Sequence, residues 1–235
     1  MTQTNWELIH DAASGSSTAK RSLDAVMKRA WPAVYAYIRA SGRRSEEATE
    51  LTQAFLCDVF LARRLLDKAD ESRGRFRTLL LGAVRNHLAD VHRRATAAIR
   101  KPKEGLIALD AHESPLGTAS AASSSPERAF NTRYVAELIR SASDRLHREL
   151  EAEGMPETWE IFRVRVLHAA FQGEAPPYEA IAARLGLTKG ACAVRLLIAK
   201  RRFATILMEE LRATITDPAD LSNEVTDLLS LLNAE

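Results

Sequence analysis

One corner restricts the fold of this chain more than any other feature. It lies in YEAIAARLGLTKGACAVRLLIAKRRF, residues 178–203. Ile181, Ala182 and Leu185 recur at helical spacing, and Gly186 follows as the residue that most easily takes the left-handed conformation of a helix stop. Leu187 is placed to plug the corner, and Thr188 brings a hydroxyl that caps the next helix. In that helix Cys192, Leu196, Ala199 and Phe203 stand four, three and four residues apart, which defines one inner face. Val194, Leu197 and Ile198 then point away from it. Two helices joined through so tight a turn form a helix-turn-helix.

The remaining patterns are helical too, and no segment alternates as a strand does, so the expected class is all-α. Trp6 to Ala13 reads as a first helix, followed by the breaker GSS and a longer helix from about Ser17 to Met27 that continues toward Ala30. Trp31, Val34, Tyr35 and Ile38 share one face of a helix ending near Ser41-Gly42. The next begins with Ser45 as cap and an acidic first turn, Glu46 and Glu47, and carries Ala48, Leu51, Phe55 and Val59 inward. RFRTLLLGAVRNHLADVHRR turns Phe76, Leu79, Leu80, Ala83, Val84, His87, Leu88 and Val91 to the core and leaves a basic outer face. In the second half, RYVAELIRSASDRLHRELEAEG and TWEIFRVRVLHAAF precede the corner, the latter with Trp159, Phe162, Val166 and Ala170 in one row.

Between these halves the periodicity collapses into PKEG, SPLG and TASAASSSP, the composition of a flexible linker, with a short docking piece at Leu106 to Leu109. The layout expected is therefore two helical domains, 1–95 and 131–205, a linker over 96–130 and an acidic tail over 206–235. Charge follows the same division. From Arg73 to Lys103 nine Arg or Lys residues face one acid, Asp90, whereas from Phe203 to Glu235 seven acids face one base, Arg212. A sum of +2 conceals a segment that attracts polyanions and another that repels them.

Several function classes are disfavoured. Cys57 and Cys192 form no CxxC pair and fall on apolar helical positions, where a thiol is ordinarily a small buried hydrophobe. The six histidines show no metal-ligand spacing, and no Gly-rich phosphate loop or nucleophile elbow occurs. An enzyme, a metal site and a cofactor are not expected. The N-terminus lacks the pattern of a signal peptide and no run approaches the length of a membrane span, so the expected compartment is the cytoplasm.

A helix set over its partner can enter the major groove, with outward side chains on base edges and flanking cations on phosphates. Thr188, Lys189, Arg195, Lys200, Arg201 and Arg202 are the candidates here, the last three for the backbone. The outward Val194, Leu197 and Ile198 suit either thymine methyls or another protein surface. In the first half Arg75, Arg77, Arg85, His92, Arg93 and Arg94 suit a single-stranded or melting DNA partner, with a base pocket in the loop Asp70 to Gly74; a solvated charged face explains the same residues equally well.

Taken together, these segments resemble bacterial sigma factors of the extracytoplasmic-function type. WPAVYAYIRASG resembles the start of their region 2, SEEATELTQAFLCDVF the helix that grips the clamp of the polymerase beta-prime subunit, and GRFRTLLLGAVRNHLADVHRR the stretch that opens and reads the -10 element. WEIFRVRVLHAAF with the corner segment resembles region 4, which reads the -35 element and packs on the beta flap. The resemblance spans roughly Trp6 to Phe203. It implies an all-helical factor without cofactor, monomeric when free and clear of membranes, that directs core RNA polymerase to promoter DNA. Glu47, Thr49, Glu50, Gln53, Phe55 and Asp58 are implied as the polymerase face.

Two departures from the family carry their own expectations. Members commonly have an acidic motif close to DAED before LTQ, where this chain has Glu47-Ala48-Thr49-Glu50. Phosphorylation of Thr49 by a Ser/Thr kinase would add about −1.5 to −2 charges there, a switch found in similar members. The family also favours basic residues at the positions of Ala193 and Ile198, so fewer phosphates should be held here. Finally, Asp217-Pro218 breaks a helix and Leu221, Val225, Leu228 and Leu229 line another. This acidic helix either stabilises a domain or folds over a basic surface and closes the free protein. A DNA-binding repressor and a sigma-like adaptor without initiation activity are the alternatives to a promoter-directing factor.

Overall fold

The computed structural model describes residues 19–61, 76–100, 125–169, 174–212 and 220–233, all helices and the turns between them. We number the helices α1 (Ala19–Ala40), α2 (Ser45–Phe55), α3 (Phe76–Arg100), α4 (Pro126–Ala152), α5 (Pro156–Phe162), α6 (Tyr178–Leu185), α7 (Lys189–Arg212) and α8 (Asp220–Asn233). Six-residue π-helical turns extend α2 through Leu56–Leu61 and α5 through Arg163–His168. The expected all-α class holds, and no strand occurs among the described residues. None of the described helices is long and apolar enough to cross a membrane.

Contacts divide the chain into two units, 1–136 with 213–235, and 137–212. The expected layout drew the lines elsewhere. Helix α3 runs to Arg100 and α4 starts at Pro126, so both ends of the anticipated linker are helical; residues 206–212 of the expected tail continue α7 in the second unit, while α8 groups with the N-terminal unit. Residues 101–124, including the docking piece Leu106 to Leu109, lie outside the described residues, as does the helix expected at Trp6 to Ala13.

In the first unit α1 packs on α2 and α3. It buries Ala30, Ala33, Val34, Tyr37 and Ile38, two adjacent ridges at helical spacing. Pro32 sits inside the helix, where it withholds one backbone donor without ending the buried face. Helix α2 turns Ala48, Thr52 and Phe55 inward. Thr52 takes the place expected of Leu51 because its hydroxyl donates to the Ala48 carbonyl at 2.6 Å and so enters the core satisfied. Ser45 is the first helical residue and makes no cap; Arg44 holds that position, and the Ser45 hydroxyl meets Tyr35 at 3.0 Å.

Beyond Phe55 the change to a π-helical turn shifts the period, and Cys57 becomes exposed rather than buried. Helix α3 buries Phe76, Leu80 and Val84, and His87 meets Phe55 edge-on with ring centres 5.5 Å apart.

The second unit is built on Ala142, Leu146, Leu150, Ile161, Phe162, Ile181, Ala182, Cys192, Leu196, Ala199 and Ile206. Two glycines stop its helices in the same way. Gly154 and Gly186 take positive φ of 72° and 64°. The next residues, Met155 and Leu187, donate their N–H back to Leu150 and Ala182 at 2.8 and 2.9 Å. Pro156 then opens α5, where a missing N–H does no harm.

Candidate nucleic-acid interface

The corner at Gly186 forms as the residue pattern requires. Thr188 accepts the Ala191 N–H on its hydroxyl oxygen at 3.1 Å, which caps α7, and the Cys192 N–H reaches the Thr188 carbonyl at 3.0 Å. Cys192, Leu196 and Ala199 are buried, Phe203 lies half-buried 5.1 Å from Phe162, and Ile181 and Ala182 close the core from α6. That inner face leaves Val194, Leu197 and Ile198 as the exposed large hydrophobics of the described chain, 59%, 49% and 39% accessible.

The cations around this face are largely engaged by the unit's own acids. Lys189 pairs with Glu179 across the corner at 2.5 Å, Arg195 with Glu157 at 3.1 Å and Arg202 with Glu153 at 2.7 Å. The hydrogen bond to Glu179 raises the pKa of Lys189, and the bond from Arg202 lowers that of Glu153. Arg184, on α6 and outside the expected set, shares Glu160 with Arg163. Lys200 and Arg201 are exposed. Three of the cations around the aliphatic centre of α7 are thus offset by acids of the same unit.

Helix α3 presents a different picture. His92, Arg93 and Arg94 stand exposed at its C-terminal half, Arg93 paired with Asp90 on the same helix. Arg85 is also exposed, but its Nη2 donates to Glu127 of α4 at 2.7 Å, and that bond raises the arginine pKa and lowers the glutamate's. Arg77 departs from the expected basic face. Instead of facing solvent it is buried, donating through Nε and Nη2 to both oxygens of Glu224 at 2.7 and 3.1 Å, and through Nη1 to Asn131 at 2.7 Å. Its helical position beside Phe76 sets it on the margin of the core, and a carboxylate from α8 makes that burial tolerable. Arg75 and the loop Asp70 to Gly74 lie outside the described residues.

On α2, Glu50 and Gln53 are exposed, as is Asp58 in the π-helical turn that follows, while Glu47 and Thr49 are half-buried. Glu47 pairs with Arg43 at 2.7 Å, and the Thr49 hydroxyl donates to the Ser45 carbonyl at 3.0 Å. Phe55, implied as part of a polymerase face, is fully buried against His87 and is a core residue. Burial lowers the His87 pKa, against a smaller raising effect from Asp58, and its Nε2 has no hydrogen-bond partner.

Glu127, Asn131 and Glu224 escaped the sequence reading. They approach α3 from 42, 54 and 147 residues away in the chain, and only Glu224 had a local signal, the excess of acid in the tail. No group of His, Cys, Asp and Glu able to hold a metal ion occurs among the described residues. Comparison with protein-family models, curated proteins and solved structures gave no match.

Proposed function

We propose that this chain is a promoter-specificity factor of the sigma type, which binds core RNA polymerase and directs it to promoter DNA through α3 and the α6–α7 corner. The observation that carries this reading is the capped helix-turn-helix, Gly186 to Thr188, in a chain whose other unit exposes His92, Arg93 and Arg94 in the C-terminal half of α3. Glu47, Thr49, Glu50 and Gln53 of α2, with Asp58 of the π-helical turn, form the polymerase-facing side, with Phe55 supporting it from beneath. Thr49 is the site at which a Ser/Thr kinase adds the negative charge that the acidic face lacks. Run-off transcription with bacterial core polymerase tests the whole reading. The expected result is a defined start site, with more transcript from Thr49→Asp than from Thr49→Ala; absence of any transcript from the unmodified, phosphorylated and Thr49→Asp proteins alike overturns it.

The exposed aliphatic centre of α7 favours a second reading, an adaptor whose corner docks on protein rather than DNA. Ile198→Arg separates the two. If α7 faces DNA, the added cation tightens promoter binding and steepens its dependence on salt by about one phosphate contact; an unchanged salt dependence favours the adaptor.

A further inference from the structure

The first turns of α3 already hold an anion. Arg77 grips both oxygens of Glu224 in the two-pronged arrangement with which guanidinium groups also take phosphate. Asn131 occupies the remaining side of the guanidinium, and the carboxylate is 1% exposed. Eight residues on, at a spacing that keeps the same general side of a helix, Arg85 holds Glu127 at 2.7 Å. Two cations expected to meet phosphates are thus met by carboxylates carried in from α4 and α8.

We propose that α8 is a latch, an acidic helix of the same chain that occupies the anion-binding side of α3, so that nucleic acid engages Arg77 only after α8 has left. This rests on the reading of α3 as a nucleic-acid surface. The chemistry suits a reversible contact. Burial strips water from both ions, and the pair recovers that loss only while its hydrogen bonds stay aligned; separation returns both groups to water, whereas deletion of one partner strands the other. Leu221 and Val225 of α8 are only half-buried beside Glu224. A detached helix of this length is marginal in water, so release also melts the competitor.

The test uses the full chain, a fluorescent single-stranded oligonucleotide, and amide hydrogen exchange along α3. Glu224→Gln keeps the shape of the side chain and removes its charge. The latch predicts faster exchange at the first turns of α3 and oligonucleotide binding tighter by about tenfold, with a steeper salt dependence. A second form carries a protease site after Arg212, cut once the protein has folded, so that no domain has to fold without α8. Cutting should give the same gain, and added α8 peptide should reverse it. Exchange that reports release of α8 while affinity stays level or falls makes α8 a structural strut and overturns the proposal, as does a helix that neither change releases. Tighter oligonucleotide binding without run-off transcription supports the latch while sinking the promoter reading.

Discussion

Arg77 in the N-terminal unit and the corner cations of the helix-turn-helix unit are neutralised in opposite ways. In the helix-turn-helix unit the acids are surface neighbours: Glu179, Glu157 and Glu153 reach Lys189, Arg195 and Arg202 with both partners substantially exposed. In the N-terminal unit Glu224 comes from the far end of the chain and is buried with Arg77. Exposed pairs hold little stability and exchange partners readily, so a phosphate can replace any of these carboxylates with small consequence for the fold. A buried pair is different in kind. Its partners depend on each other, and whatever separates them must first move a helix.

That contrast is broken most forcefully at Arg77. Arg77→Ala leaves Glu224 buried without its cation and should destabilise the N-terminal unit by about 3–5 kcal/mol in denaturant unfolding. The double change Arg77→Met with Glu224→Leu should recover most of that loss, since an apolar pair of similar volume needs no compensation. A small effect of the single change would mean that water reaches the pair and that the two units do not differ as described. A smaller effect is expected at the corner. Thr188→Ala removes the cap of α7 and should cost about 1 kcal/mol, read from unfolding of the helix-turn-helix unit, with Thr188→Ser restoring it.

How far each unit was legible follows the same line. The corner could be read because every part of it is local: Gly186, Leu187, Thr188 and the row Cys192, Leu196, Ala199 act within a few turns of one another. The apolar row of α3 was equally plain, and Phe76, Leu80 and Val84 are buried where the spacing put them. Arg77 was misread because its burial depends on Glu224, and helical period carries no information about a partner 147 residues away. Cys57 and Phe55 show a related limit. The π-helical turn at Leu56–Leu61 ends the 3.6-residue period that points Cys57 inward, and family likeness points Phe55 to a partner surface although its own position in the row Ala48, Thr52, Phe55 makes it core.

The N-terminal unit also carries a pH response of its own. Burial disfavours the charged form of His87 and sets its folded-state pKa below the ordinary 6.5. The unfolded chain therefore binds this proton more readily than the folded one. Stability linked to His87 is complete above pH 6.5 and falls as the pH drops from there through the folded-state value. Unfolding of the N-terminal unit followed from pH 8 to about pH 5 should show this loss, and His87→Phe should flatten it. An unchanged slope in the variant would assign the acid sensitivity to other groups.

The smallest effect sharpens the comparison most. Glu153→Gln removes the partner of Arg202 just as Glu224→Gln removes that of Arg77, one carboxylate for one arginine in each case. Arg202 is already about one-third exposed and Glu153 more so, hence water takes over the lost bond and thermal unfolding should not move measurably. Oligonucleotide binding should change little as well, because a phosphate displaces an exposed carboxylate without first moving a helix. If Glu153→Gln instead tightened binding as much as Glu224→Gln, loss of one negative charge anywhere near the surface would be sufficient explanation. The gain at Glu224 would then say nothing of a helix that has to leave.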